Sequence, residues 1–110
     1  MFKNRWFRLR RRVRFLWQRV FRGFSDEETW SLDLTIARFA LPRLKRFKEV
    51  NNCYPGHMSE NRWDKALDKM IFAMQKTIDD CPVEMSDEET RRKVREGLRL
   101  FGKHFNSLWW

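Results

Sequence analysis

Glycine, proline and cysteine are scarce in this 110-residue chain, at four, three and two residues. So few turn formers leave little room for the many short strands and tight turns of a sandwich or barrel. No apolar run reaches the roughly 18 residues that a membrane-crossing helix needs. The N-terminal stretch alternates arginine with aromatic residues. It lacks the uninterrupted apolar segment of a signal peptide and is not expected to act as one. Cys53 and Cys81 are therefore expected as free thiols in a reducing compartment.

Recognisable chemistry is equally sparse. The chain has no GxGxxG, no Walker loop, no GxSxG and no carboxylate pair beside a well-placed histidine. Cys53, His57, Cys81 and His104 do not follow the paired spacing of structural zinc sites. The expectation is a protein that is not an enzyme and carries no cofactor and no metal.

Acid is missing from one place in particular. Residues 1–22 hold nine Lys or Arg and no Asp or Glu, whereas residues 23–110 are balanced at 15 of each sign. The formal charge of +9 thus belongs to one segment, not to the whole protein. The domain reading follows: a basic helical arm over 1–22 and a single helical domain over 23–110.

Periodicity predicts four helices, an all-α fold. In the arm, Phe2, Trp6, Leu9, Val13, Leu16 and Val20 recur at alternating steps of four and three, widened by Trp17 and Phe24. Most arginines fall on the opposite side of a helix over residues 3–21, which Gly23 interrupts. Ser25-Asp26-Glu27-Glu28-Thr29 has capping-box spacing and opens a second helix. The same five residues recur as Ser86 to Thr90 and open the fourth.

The second helix carries Trp30, Leu34, Ala37, Leu41 and Leu44 as its stripe, with Ile36, Ala40 and Phe47 beside it. A kink or break is expected near Pro42, which removes a backbone donor. Ser59 caps a third helix with the stripe Trp63, Leu67, Met70, Met74 and Ile78. The fourth helix shows Val94, Leu98, Phe101, Phe105 and Leu108 and is expected to run almost to Trp109 and Trp110. The body is expected to be a three-helix antiparallel unit preceded by the basic amphipathic helix. Fewer than 90 residues outside the arm make only a modest core, and the aromatic load is heavy, so a homo-oligomer is expected.

Several features are candidates for binding. The arm, with Arg5, Arg8, Arg10, Arg11, Arg12 and Arg14, suits an anionic membrane surface, nucleic-acid phosphates, or docking onto the body or a second subunit. It also suits plain bundle packing with solvated arginines. Arg38, Arg43, Lys45, Arg46 and Lys48 crowd the expected break, where they would hold a phosphate or carboxylate, or simply meet the negative end of the helix dipole. Arg92, Arg95, Arg99 and Lys103 form a basic stripe on the fourth helix. Asp33 falls in the middle of an apolar face, which requires a buried partner or a polar pocket. Phe72 faces away from its helix stripe, towards the arm or a subunit contact. Asp64 and Asp68, flanked by Lys65 and Lys69, read as a salt-bridged surface.

Residues 24–110 resemble a family of small tailed-bacteriophage proteins. The resemblance rests on Phe24 to Trp30, on Leu32-Asp33 followed by Ile36-Ala37-Arg38-Phe39, and on Leu41-Pro42-Arg43-Leu44-Lys45-Arg46-Phe47-Lys48. Trp63 to Ile71 and Gly97 to Trp109 extend it. The arm looks like the leader of some members. The resemblance implies expression in the cytoplasm of an infected bacterium. Small phage proteins of this kind often act by binding, and one class sequesters nucleotide signals of host immunity. The leading expectation is an oligomeric protein that binds a phosphorylated small molecule. Arg38, Arg43, Arg46, Arg92, Arg95 and Arg99 would contact phosphates, and Trp30 and Asp33 the nucleoside. The alternative is a peripheral membrane or nucleic-acid binder acting through the arm, placed at the inner membrane face in the membrane case.

Overall fold

The structure, a computed structural model, describes residues 2–51 and 53–109, with side chains from Arg5 onward. The Phe2 and Lys3 side chains, assigned above to the arm's stripe and charge, and Trp110 lie outside the described residues. The fold is all-helical, with no strand among the described residues. Among the described residues, five α-helices follow in order: α1 (Phe2–Arg22), α2 (Glu27–Trp30), α3 (Leu32–Val50), α4 (Glu60–Asp79) and α5 (Glu88–Lys103). Short 3-10 turns span Val83–Met85 and Phe105–Ser107. The chain divides into two compact units, Met1–Thr35 and Ile36–Trp110. The division falls within α3, later than the charge boundary at residue 22.

In the first unit, α1 ends where Gly23 turns left-handed at φ 85° and its amide bonds the Arg19 carbonyl at 3.1 Å. Only glycine adopts that conformation without steric cost. The chain then reverses into α2 around one carboxylate. Asp26 receives Gln18 Nε2 at 2.7 Å and Arg22 Nη2 at 2.7 Å, and its amide donates to Gln18 Oε1 at 2.6 Å. Arg14 adds an ion pair at 3.7 Å. The Arg22 guanidinium, then the Gln18 amide, hold the Asp26 carboxyl below its ordinary range.

One limb of the expected capping box is present: the Ser25 amide donates to Glu28 Oε2 at 2.6 Å. The Ser25 hydroxyl is buried with no partner among the described residues. The helix break expected at Pro42 falls instead at Ser31, which separates α2 from α3. Thr35 Oγ1 reaches back across that break to the Glu28 carbonyl at 2.9 Å. α3 continues through Pro42.

In the second unit, the apolar cluster joins Ala37, Leu41 and Leu44 of α3 to Trp63, Ala66, Leu67, Met70 and Met74 of α4 and Leu100 of α5. A helix interior that loses one backbone bond at Pro42 is held by this burial, each large apolar side chain contributing about 2 kcal/mol. Ser59 caps α4 as expected, its hydroxyl accepting the Arg62 amide at 3.3 Å. At α5 the N-cap is Asp87, one residue beyond the expected Ser86. The Thr90 hydroxyl and amide beside the Asp87 carboxyl hold it below its usual range.

The buried face of α5 matches the expected stripe only in part, with Phe101 and Leu108 packed against the core. Val94, Gly97, Leu100 and then His104 are buried, while Leu98 is 45 % and Phe105 58 % exposed. Gly97 is the reason. A Cβ there would meet the Lys69 carbonyl and lie 2.6 Å from the Ala73 Cβ, so α4 and α5 touch backbone to side chain along this line. A helix rotates to bring its smallest residue to the closest contact. α5 then stops at Lys103, short of the expected end, because the chain tightens into the 3-10 turn after His104.

Candidate functional site

Two surfaces stand out, one in each unit. The first is α1. Phe15, which lies among the arginines on a helical wheel, is the buried residue among the described side chains of this helix, at 6 % exposure. Its ring meets Trp30 edge to face, centroids 5.4 Å apart. The guanidinium of Arg11 covers the Trp30 ring at 5.6 Å, and that of Arg14 the Phe15 ring at 5.7 Å. α1 therefore packs on α2 through its basic side.

The regular apolar stripe remains exposed: Trp6 63 %, Leu9 53 %, Val13 54 %, Leu16 63 % and Val20 69 %. Trp17 and Phe21 pair beside it at 4.0 Å. Trp6, Leu9, Val13 and Trp17 line a shallow groove of about 600 Å³ bordered by Arg10 and Arg14. Arg5, Arg8, Arg10 and Arg12 are exposed as well. Among the described residues, Asp26 is the one acid placed against arginines of α1.

The second surface is a cleft of about 280 Å³ between α4 and α5. Arg62, Lys65 and Lys69 line its α4 wall, and Glu96, Arg99 and Lys103 its α5 wall, both at steps of three and four. Ala66, Leu100 and Met58 supply an apolar floor, with His57 and His104 at one end. Glu96 is the single carboxylate in this lining. It holds Arg99 through both oxygens, at 2.7 and 2.9 Å, and the Arg99 guanidinium keeps it below the usual carboxylate range. His104 is buried, its ring edge-on to Trp63 at 5.4 Å and stacked with His57 at 6.2 Å. Burial, followed by Lys103, His57 and Arg99, pushes its pKa below 6.5. The Trp63 Nε1 is buried with no partner among the described residues.

The acids of α4 point elsewhere. Lys48 of α3 pairs with Asp68 at 2.5 Å, and Asp68, then Asp64, hold its ammonium above its usual pKa. The expected surface of alternating Asp64, Lys65, Asp68 and Lys69 is thus partly segregated: Asp68 pairs with α3 and both lysines line the cleft, while Lys69 also borders a neighbouring depression with Asp68.

The sequence-predicted ligand residues occupy several places. Trp30 and Asp33 belong to the first unit, and the six arginines to the second. Asp33 is exposed, which corrects the expectation of an inward carboxylate. The break at Ser31 resets the helical phase between Trp30 and Leu34, so one wheel drawn across both misplaces it. Arg43 donates to the Phe39 carbonyl at 2.8 Å and covers the Phe39 ring at 3.7 Å. Arg46 pairs with Glu49 at 3.1 Å, and Arg38 is exposed.

On α5, Arg99 lines the cleft, Arg95 is exposed, and Arg92 borders a neighbouring depression with Phe72. The half-buried Phe72 ring has the Lys76 and Lys93 ammonium groups each at 5.9 Å. Arg62 was not among the sequence candidates, Lys65 and Lys69 were read as a salt-bridged surface, and His57 and His104 only as an unfit zinc set. The step of three and four shared by the two walls was the available signal. No three His, Cys, Asp or Glu among the described residues are placed to hold a metal ion. No described helix is long and apolar enough to cross a membrane. Comparison with family models, curated proteins and solved structures finds no match to this chain.

Proposed function

We propose that this chain is a non-enzymatic, peripheral binder of anionic membrane surfaces acting through α1. The observation that carries this reading is the exposed apolar stripe of α1 beside cations of one sign. Phosphates alone would draw the arginines but give Leu9, Val13, Leu16 and Val20 no role. A lipid interface uses both faces. The stripe enters the acyl boundary while long arginine side chains reach the headgroups.

Each basic residue near an anionic leaflet contributes about 1 kcal/mol, and a half-buried apolar side chain contributes about as much. Like charges at steps of three and four, such as Arg8 with Arg11 and Arg12, repel along a free helix, and anionic lipid relieves that repulsion. With 21 residues, α1 is about 31 Å long and lies in the interface plane. The site of action in this reading is the inner membrane face of an infected bacterium. The body is a three-helix antiparallel unit, and the protein works as a homo-oligomer.

Co-sedimentation of the full chain with vesicles of phosphatidylcholine, with and without phosphatidylglycerol, tests this. Binding is expected only with the anionic lipid, falling steeply with salt and lost in a Leu9→Gln, Val13→Gln variant. Failure to bind anionic vesicles at low salt refutes the reading. Binding to duplex DNA that survives the apolar substitutions would place the arm on nucleic acid instead.

A second reading keeps the phosphorylated small molecule, such as a host immune nucleotide held out of circulation. It is favoured by the one-signed lining of the α4–α5 cleft.

A further inference from the structure

We infer that the α4–α5 cleft is an anion site that takes the diphosphate group of a small molecule; this rests on the second reading above and gives it a location. Three facts support the assignment. Five cations, Arg62, Lys65, Lys69, Arg99 and Lys103, line about 280 Å³ against one carboxylate, Glu96, which Arg99 already occupies. Crowding like charges in that volume costs free energy, which a bound polyanion returns.

Helix electrostatics account for only one of these charges. Lys103 sits in the last turn of α5, where the helix dipole favours a cation. Arg62 sits in the first turn of α4, where it favours an anion, and Lys65, Lys69 and Arg99 lie too far from a helix end to benefit.

The third fact is the partial segregation. Lys48 of α3 engages Asp68, so this α4 carboxylate is turned to another partner while Lys65 and Lys69 stay on the cleft side. The walls are held at fixed separation by the contact of Gly97 with Lys69 and Ala73, so the cations are preorganised on rigid helices rather than carried by loops. Two facing rows favour an extended anion with charge at both ends over a single sulfate-like ion. A diphosphate spans them, one phosphoryl group against each row, with donors from both helices. The apolar floor of Ala66 and Leu100 leaves room for the organic part.

Isothermal titration of the full chain with inorganic pyrophosphate tests the site. Saturable binding is expected, weakened about tenfold by Lys65→Gln and again by Lys103→Gln, as loss of one charge-assisted contact implies. Lys76→Gln removes the same charge outside both basic clusters and is expected to leave the affinity unchanged; circular dichroism verifies that all variants fold. If Lys76→Gln weakens binding equally, net charge alone is at work and the site is refuted. If Arg43→Gln with Arg46→Gln abolishes binding while the cleft variants keep it, the location is refuted and the phosphate reading stands. No binding of pyrophosphate or of adenosine diphosphate refutes both.

Discussion

Phe15 and Trp30 meet edge to face at 5.4 Å on the side of α1 that carries most of its arginines, about 150° around the helix from the centre of the apolar stripe. This one contact decides which face of α1 is used internally and which is left for another surface. Phe15→Ala is expected to destabilise the α1–α2 unit by about 3 kcal/mol. Isolated helices of this length are marginal, so amide exchange should then accelerate throughout α1 and α2. Unchanged protection in these helices would mean that the Trp30 contact does not hold the unit.

Gly97 and Gly102 lie on the same helix and predict opposite signs. Alanine at Gly97 would collide with the Lys69 carbonyl and the Ala73 side chain, forcing α4 and α5 apart. Gly97→Ala should lower stability by about 2 kcal/mol and weaken pyrophosphate binding by displacing one wall of the cleft. Gly102 has open space around its Cβ position, so Gly102→Ala should raise stability by about 0.5 kcal/mol through a stiffer unfolded chain. Denaturant unfolding of both variants measures the pair.

His104 gives stability a pH dependence. Its ring is buried and faces Lys103, His57 and Arg99, with Glu96 on the same wall and Arg62, Lys65 and Lys69 across the cleft. Its folded pKa is therefore below 6.5, and the unfolded ring binds the proton more readily. The resulting stability is fully present above the unfolded pKa and is lost as pH falls through it towards the folded value. Thermal midpoints measured from about pH 8 to pH 5.5 should fall for the wild type and lose that slope in His104→Gln. A bound anion opposes the effect by favouring the imidazolium, so pyrophosphate should flatten the wild-type profile. An unchanged slope in His104→Gln would assign the titration to another group.

The apolar faces of α3 and α4 were legible because each helix buries residues at ordinary helical spacing: Ala37, Leu41 and Leu44, then Trp63, Leu67, Met70 and Met74. α5 was legible only in part: Val94 is buried and Phe101 and Leu108 pack against the core, but an apolar count gives no weight to Gly97, which meets α4 most closely. The Ser31 break escaped notice for a related reason. Pro42 is the obvious helix breaker, but a proline in a packed helix survives when its neighbours are buried. Serine breaks a helix when its surroundings permit it, and Thr35 completes that turn from four residues away.

The sequence by itself determined the all-helical fold class, the charge confined to the first 22 residues and the amphipathic stripe of α1, since periodicity and charge are local properties of the chain. Only the tertiary structure decided that α1 packs through Phe15, that Lys48 takes Asp68, and that Arg62, Lys65 and Lys69 face Arg99 and Lys103. Those pairings join residues up to 41 positions apart. The facing of the α4 and α5 rows depends on how closely those two backbones approach, which Gly97 sets and composition does not reveal.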